Sequence, residues 1–567
     1  MLARDDQVRE ESVWFGAAGR PLFGRLTSPL LETSRGGVLI SPPIGREARL
    51  SRRALRSLAA LLAIDGYVSL RFDHFATGNS SGSFDDVEFD RAWREGVEQG
   101  VALLRSLGVP SVSAVGMRLG ATIIGAAALE HDLRLASVVL WDPCESGRTY
   151  LREASALGAI GREVEQPESG EPVQMLEYVY GDETAKRMGE VTLSPPANEP
   201  LAERVLMVLR DDRVISSKFR TRWTGHAEWA TTSEQGPLLE TELPTSLLPL
   251  STMAQIREWL KAPEPLRVAL TAAPRARDAV VVRSPNAQPV RESVVELGPR
   301  KLFGVLSEPV GDARGPLIVM ANGINEDHVG PSRLWVDLSR HWAGSGLRCL
   351  RVDLRDSGES PALRSEPTPP MHYETWPDDV RDAISAVSSS GPADSVVIGL
   401  CSGAQLALDT ALVYGTRGLC VINPQTGAGI LRTAERLEKS DRRSLQSFLQ
   451  HGKNILGRHR WIAKMLWQVS RLVLPTATSP RVRSKLVRNG TEVLILASLQ
   501  DYSPFPRMPI VGSIDRRRLV SSEHFRVEIV PGMDHDFLSD VGRARALAIL
   551  ERHVLEMFLR VSPSSES

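Results

Sequence analysis

Two stretches about 280 residues apart in this 567-residue chain spell nearly the same text, and that repeat limits what the chain can fold into more than any other feature. Arg20-Pro21-Leu22-Phe23-Gly24 matches Arg300-Lys301-Leu302-Phe303-Gly304, and Pro29 matches Pro309. At the same offset Gly66, Asp73, Gly78 and Ser80 match Gly346, Asp353, Gly358 and Ser360. The register then drifts by only a few residues. Gly116-Met117-Arg118-Leu119-Gly120 falls opposite Gly399-Leu400-Cys401-Ser402-Gly403, and Asp142-Pro143 falls opposite Asn423-Pro424. Solenoid units are far shorter, so the expectation is a duplicated domain. A chain of this length is also too long for one core of ordinary size.

Each half alternates short β-branched runs with amphipathic stretches, which predicts an α/β fold: a mostly parallel sheet flanked by helices, once per half. In the second half strands are expected at 317–321, 348–353, 395–399, 419–423, 492–497 and 525–530. Most gaps between them suit crossover helices. Residues 424–490 are too many for a crossover and carry helical periodicity of their own, so they read as an inserted cap. The expected organisation is a first domain over 10–262, a Pro- and Arg-bearing linker over 263–290 and a second domain over 291–562. Within that linker, 279–283 already has the composition of a first strand of the second domain.

An apolar content of 42% and a charged content of 24% are those of a soluble globular protein, and a formal net charge of −1 removes any whole-protein argument for nucleic acid or an anionic membrane as partner. Residues 1–11 lack an apolar signal core and no run approaches a bilayer span, so the expected location is the cytoplasm. Four cysteines, Cys144, Cys349, Cys401 and Cys420, show no paired metal-ligand spacing and read as thiols of a reducing compartment. Neither metal nor cofactor is expected.

Gly399-Leu400-Cys401-Ser402-Gly403 follows Val396-Val397-Ile398 and precedes a helix-like stretch over 404–414. It reads as a nucleophile elbow, a sharp strand-to-helix corner where flanking glycines leave room for the central side chain to stand above a sheet. The alternative is a buried cysteine at an ordinary junction. Ser402 is a rival nucleophile, but two residues either way from it lie Leu400 and Ala404, whereas Cys401 is flanked by Gly399 and Gly403. Ser402 is therefore expected to give a backbone N–H to an oxyanion hole.

With strand, elbow and order in place, the second half resembles an α/β-hydrolase. Asp353-Leu354-Arg355-Asp356-Ser357-Gly358-Glu359-Ser360 looks like the loop after the fourth strand in many of these enzymes, although a plain glycine turn would read the same. The resemblance implies an acid after a late strand and a histidine after the last one. Asp501 follows 493–497, and His535 follows 525–530, giving the family's order Cys401, Asp501, His535. Asp534 and Asp536 remain alternatives to Asp501 as orienter. The second oxyanion donor is expected from the loop after the 317–321 strand, as the N–H of Gly323 or Ile324. His524 precedes the last strand, while His328, His341 and His372 read as solvated or core-satisfied imidazoles.

The first half lacks this chemistry. Arg118 stands where Cys401 stands, and a guanidinium is not acylated. Asp211 or Asp212 matches Asp501, but no histidine occurs over 244–253, where a base is expected, and His226 comes too early. Arg118 is expected either to pair with an internal carboxylate or to hold a carboxylate or phosphate ligand.

A thiolate attacking a thioester gives another thioester of similar energy, which favours passing the acyl group to a second acceptor. In this the sequence is similar to the cysteine aminoacyltransferases of nonribosomal peptide pathways and to the dienelactone hydrolases, which open a lactone with a cysteine. The expectation is acyl transfer from a thioester or ester; thioester, ester or lactone hydrolysis by the same triad, and a non-catalytic scaffold, are the alternatives. Residues 431–490 hold fourteen Lys or Arg against three acids. Such a rim suits the phosphates of coenzyme A or an acidic carrier protein, or else is a solvated face balancing Glu163, Glu165, Glu168 and Glu171 of the first half. Trp461 and Trp467 line an acyl tunnel or belong to a core.

Overall fold

The computed structural model describes residues 7–84, 86, 88–160, 173–174, 179–196, 200–213, 215–240, 247–261, 267–271, 279–323, 326–361, 375–424, 480–498, 524–534 and 540–559. Ile324, Asp501, His535 and residues 425–479 of the expected cap lie outside them.

The first half forms an eight-stranded sheet from β1 (Val8–Phe15), β2 (Leu22–Pro29), β3 (Gly36–Ser41), β4 (Tyr67–Phe72), β5 (Val112–Met117), β6 (Ser137–Trp141), β7 (Arg204–Arg210) and β8 (Glu228–Thr232). Their spatial order is β1-β2-β4-β3-β5-β6-β7-β8. The second half forms a nine-stranded sheet from β9 (Ala279–Arg283), β10 (Pro289–Leu297), β11 (Leu302–Pro309), β12 (Leu317–Ala321), β13 (Arg348–Val352), β14 (Ser395–Leu400), β15 (Gly418–Ile422), β16 (Glu492–Ala497) and β17 (Phe525–Ile529). Its order is β9-β10-β11-β13-β12-β14-β15-β16-β17, so beyond the edge strand β9 it runs as the first does. The opening strands pair antiparallel and the rest parallel. All six strands expected in the second half are present, within a residue or so at their ends.

β9 lies inside the stretch expected as linker. Val280 and Val282 alternate inward and are buried, and the strand pairs antiparallel with β10 through Val282↔Val290. Period-two burial has thus drawn part of 263–290 into the sheet.

Central strands are apolar on both faces because helices cover both. Val319, Val397, Leu419 and Val493 pack on one side against α6 (Trp376–Val387) and α7 (Ser402–Tyr414) through Val380, Ile384, Leu408 and Leu412. Their neighbours Ile318, Ile398, Cys420 and Leu494 pack on the other against α5 (Leu334–Gly344) and α8 (Asp540–Leu559) through Trp335, Trp342, Leu550 and Val554. The first half does likewise with α1 (Gly45–Ile64), α2 (Phe89–Ser106), α3 (Leu119–Glu130) and α4 (Gly147–Ile160).

The halves meet through residues that the repeat shares. Phe23 and Phe303 lie 6.3 Å apart within an apolar cluster that also holds Trp14, Val280, Val282 and Val290. Arg71 at the end of β4 forms a bidentate pair with Glu359 of the other half at 3.0 and 2.8 Å. Arg351, its counterpart on β13, donates to Asn79 at 2.7 Å and to Glu292 of its own half at 2.8 Å. Each half supports its side of the junction with the same turn. Asp73 accepts the Asn79 N–H and Asp353 the Glu359 N–H, both at 2.8 Å. Ser80 and Ser360 then take the Phe23 and Phe303 N–H at 2.9 Å. Gly78 and Gly358 have φ of +49° and +51°, and a Cβ on either would collide with the Asp73 or Asp353 carboxylate.

Gly358→Ala is therefore expected to cost about 2 kcal/mol or more through left-handed strain plus that collision. A lowered thermal midpoint of the full chain, against an unchanged midpoint for Gly311→Ala, whose Cβ meets nothing within 4 Å, is the measurement that checks it.

Candidate functional site

β14 ends at Leu400 and α7 begins at Ser402, leaving Cys401 alone at the corner with φ +55° and ψ −116°. An L-residue there carries about 1–3 kcal/mol of strain, so the surroundings must hold it. They do: the Cys401 N–H donates to the Ile422 carbonyl at 2.9 Å, and the Cys401 carbonyl accepts the Ala404 N–H at 3.1 Å. Gly399 and Gly403 are needed on steric grounds. A Cβ on Gly399 would run into the Gly403 carbonyl, and one on Gly403 into the Ala321 carbonyl. The register inferred from glycine spacing is thus the one adopted, with Cys401 at the corner and Ser402 as the first helical residue.

Cys401 is half-buried, whereas Cys144, Cys349 and Cys420 are buried, and burial pushes their thiols well above the ordinary range. None of the four is in a disulfide. The first N–H groups of α7 lack intrahelical acceptors and carry the positive end of the helix dipole, which favours an anion at this corner. Gly323, just past β12, runs against the elbow: a Cβ there would strike Ser402 Oγ and come within 3.1 Å of the Gly403 N. Ser402 and Gly323 are thus brought together, while Ile324 lies outside the described residues.

Asp501 and His535 also lie outside the described residues, but one side chain bonds to the last described residue before each. Asn423, fully buried just past β15 with φ +45°, accepts the Ser498 N–H and donates to the Asp534 carbonyl, both at 2.8 Å. Ser498 follows β16, and Asp534 immediately precedes His535. Sequence reasoning matched Asn423 with Asp142 but gave it no role. Its signal was a hydrogen-bonding residue directly after a central strand, in register with the elbow.

His328, His341 and His524 are engaged. His328 is fully buried, with Nδ1 2.8 Å from Asp353 Oδ2 and Nε2 2.7 Å from Asn79 Nδ2 of the first half. His341 lies 2.8 Å from Glu551 and His524 2.9 Å from Glu492. His372 lies outside the described residues, as does Asp536.

The first half makes the same corner with a different side chain. Arg118 sits between β5 and α3 at φ +53° and ψ −126°. It is internally paired: Nε donates to Glu47 at 3.0 Å, Nη1 to Asp142 at 3.2 Å and Nη2 to Glu153 on α4. Burial opposes its charge, yet the surrounding carboxylates hold the guanidinium pKa well above its ordinary value. Burial pushes Asp142 up to about 6, against the pull of Arg118. At the position matching Asp501, Asp212 is taken by Arg210 at 2.7 Å. The window for a base needs correcting. Among the described residues the last strand of this sheet is β8, so a base following it falls within 233–240, ahead of 244–253, and these residues too contain no histidine. His226 precedes β8.

Arg118→Ala leaves Glu47, Asp142 and Glu153 without their shared cation, at an expected cost of about 3–5 kcal/mol. Loss of the guanidinium raises the folded-state pKa of Asp142 further above its unfolded value. The deficit relative to the unmodified chain should therefore be larger at pH 8 than at pH 6, because between its own raised pKa and about 6 only the variant takes up a proton at Asp142. Thermal melts of both chains at the two pH values test this.

Residues 318–548, from within β12 to within α8, match the family model described as Alpha/beta hydrolase family. No curated protein matches the chain. Among solved structures it is similar to a proline iminopeptidase from Mycobacterium smegmatis, at 13% identity over 44% of this chain and 97% of that one, with a TM-score of 0.30. A structure from the ammonia-oxidizing Thaumarchaeon Nitrososphaera gargenis, in a work on carboxylesterases, matches at 14% over 47% and 99%, with a TM-score of 0.30. An esterase domain from a Rhodothermus marinus protein matches at 14% over 45% and 97%, with a TM-score of 0.30. Among the described residues no helix is long and apolar enough to cross a membrane.

Proposed function

We propose that the second half is an acyl-transfer enzyme working through a Cys401 thioester, in a chain of two tandem α/β-hydrolase domains of which the first has lost its chemistry. The observation that carries this is the half-buried Cys401 held at a strained strand-to-helix corner, with the Gly323 backbone against Ser402 and Gly403. Two further features support the tandem reading. Strand order is shared by the two sheets, and Arg118 adopts nearly the same dihedrals as Cys401. The domains span 10–262 and 291–562 with the second extended back to Ala279 by β9 and β10, and with a cap over about 424–490.

In this reading His535 takes the Cys401 proton and Asp501 accepts the other ring N–H, orienting the imidazole. The thiolate attacks the acyl carbon of a thioester or ester, and the oxyanion is held by the Ser402 N–H and that of Gly323 or Ile324. Collapse breaks the bond to the leaving thiol or alcohol, which receives the proton from His535. The acceptor then gives its proton to the same imidazole, attacks the acyl-cysteine and releases Cys401. The basic segment 431–490 favours an acyl group delivered on coenzyme A or an acidic carrier protein, and the unbridged thiols favour the cytoplasm.

Intact-mass analysis after exposure to a panel of acyl thioesters should show one acyl group added, absent in Cys401→Ala. His535→Ala should slow that acylation by roughly 10²–10⁴-fold. Partition of the acyl-enzyme toward an added amine or thiol supports transfer, whereas exclusive loss to water makes the enzyme a hydrolase. Should Cys401 neither acylate nor react with iodoacetamide at about pH 6 faster than an ordinary thiol, the chain is a non-catalytic binding module.

A further inference from the structure

Gly323, just past β12, lies against the elbow, and residues 326–333 run along the first half, which grips them by side chains. Arg52 on α1 places Nε 2.6 Å from Asp327 Oδ2. Asn79 meets His328 at 2.7 Å. Arg333 of the loop donates to the carbonyls of Gly78, Ser80 and Gly82 at 2.9, 2.6 and 2.8 Å. Arg49 lies 4.0 Å from Glu326, whose N–H donates to the Gly323 carbonyl at 3.4 Å.

From its own half the loop is held by Asp353, which accepts the His328 N–H at 2.6 Å, and by Ser357, which donates to the Glu326 carbonyl at 3.1 Å. Apolar packing leaves a gap at this place: a cavity of about 70 Å³ is lined by Pro42, Gly45, Arg52, Asp327, Val329 and Gly330. Polar contacts at the cavity rim therefore locate the loop. Burial disfavours a charged Asp327, yet Arg52 keeps its carboxyl below the usual range, so the pair is ionised at neutral pH.

Resting on the acyl-transfer reading of Cys401, we infer that the first half serves as a fixed template for the oxyanion loop of the second, with Arg52 as its positioning residue. An oxyanion hole acts through donors placed to a few tenths of an ångström, and an error of about 1 Å costs roughly 10²-fold in rate. Arg52 touches neither the nucleophile nor, in this reading, the substrate. It fixes Asp327, and through Glu326 the backbone of Gly323.

The test uses the full chain and two reagents for one sulfur atom. Acylation by an acyl thioester generates an oxyanion; alkylation by iodoacetamide is a displacement that does not. Arg52→Ala is expected to slow acylation at saturating thioester by about 10–100-fold while alkylation stays within about twofold. Arg52→Lys should recover part of the loss, and Asp327→Asn should reproduce it with no further loss in the double variant. If Arg52→Ala does not fold, Asp327→Asn carries the same comparison. A folded variant that acylates at the unmodified rate, or in which acylation and alkylation fall together, overturns the inference alone. An unmodified chain that never acylates overturns the underlying reading, and the inference with it.

Discussion

A carboxylate with its side chain 1% exposed must have cations within reach, and among the described residues Glu359 finds them only on the other half of the chain. Burial raises its pKa, but Arg71, Arg25 and Arg56 overcome that and hold it well below the ordinary range. Such an ion pair adds little net stability, because desolvation consumes most of the attraction. What it does is forbid alternatives: separating or sliding the halves would leave buried guanidinium groups and a carboxylate unmatched. Phe23 against Phe303 contributes the apolar area, and Arg71 with Glu359 fixes the one docking geometry in which that area is buried without orphaned charge.

The same junction explains which residues the two halves have in common. Asp73 and Asp353, Gly78 and Gly358, and Ser80 and Ser360 build one turn twice, and both turns face the partner half. The elbows, by contrast, share glycines and dihedrals but differ at the central residue. One corner presents a half-buried thiol. The other buries a guanidinium among three carboxylates. A backbone scaffold that positions a group does not dictate which group it is.

Much was legible in the linear text because the responsible forces are local. The β-branched runs of β12, β14, β15 and β16 are buried on both faces and so read as plain apolar segments. Gly399 and Gly403 named the corner residue because each contact they avoid lies within the corner or on the adjacent strand. Less legible were features settled by pairing at a distance. Val280 and Val282 have a strand's composition inside an expected linker, and only pairing with Pro289–Leu297 decides between the two. Strand β8, with its half-exposed Glu228–Thr232, carries too weak an apolar signal to place the end of the first sheet. Asn423 was visible as a repeat position, but its two hydrogen bonds reach loops far along the chain. His328 reads in the sequence as a solvated or core-satisfied imidazole; it is the second, and half of its satisfaction comes from Asn79 in the first half.

The sequence by itself determined the α/β architecture, the strands of the second sheet and the identity of Cys401 as the corner residue, since periodicity and glycine spacing act over a few residues. Only the tertiary structure decided how the two sheets dock, that Arg118 is locked by Glu47, Asp142 and Glu153, and that Arg52 reaches Asp327. Those outcomes depend on which charges become buried together, and a buried charge is matched through space by residues whose separation along the chain carries no pattern.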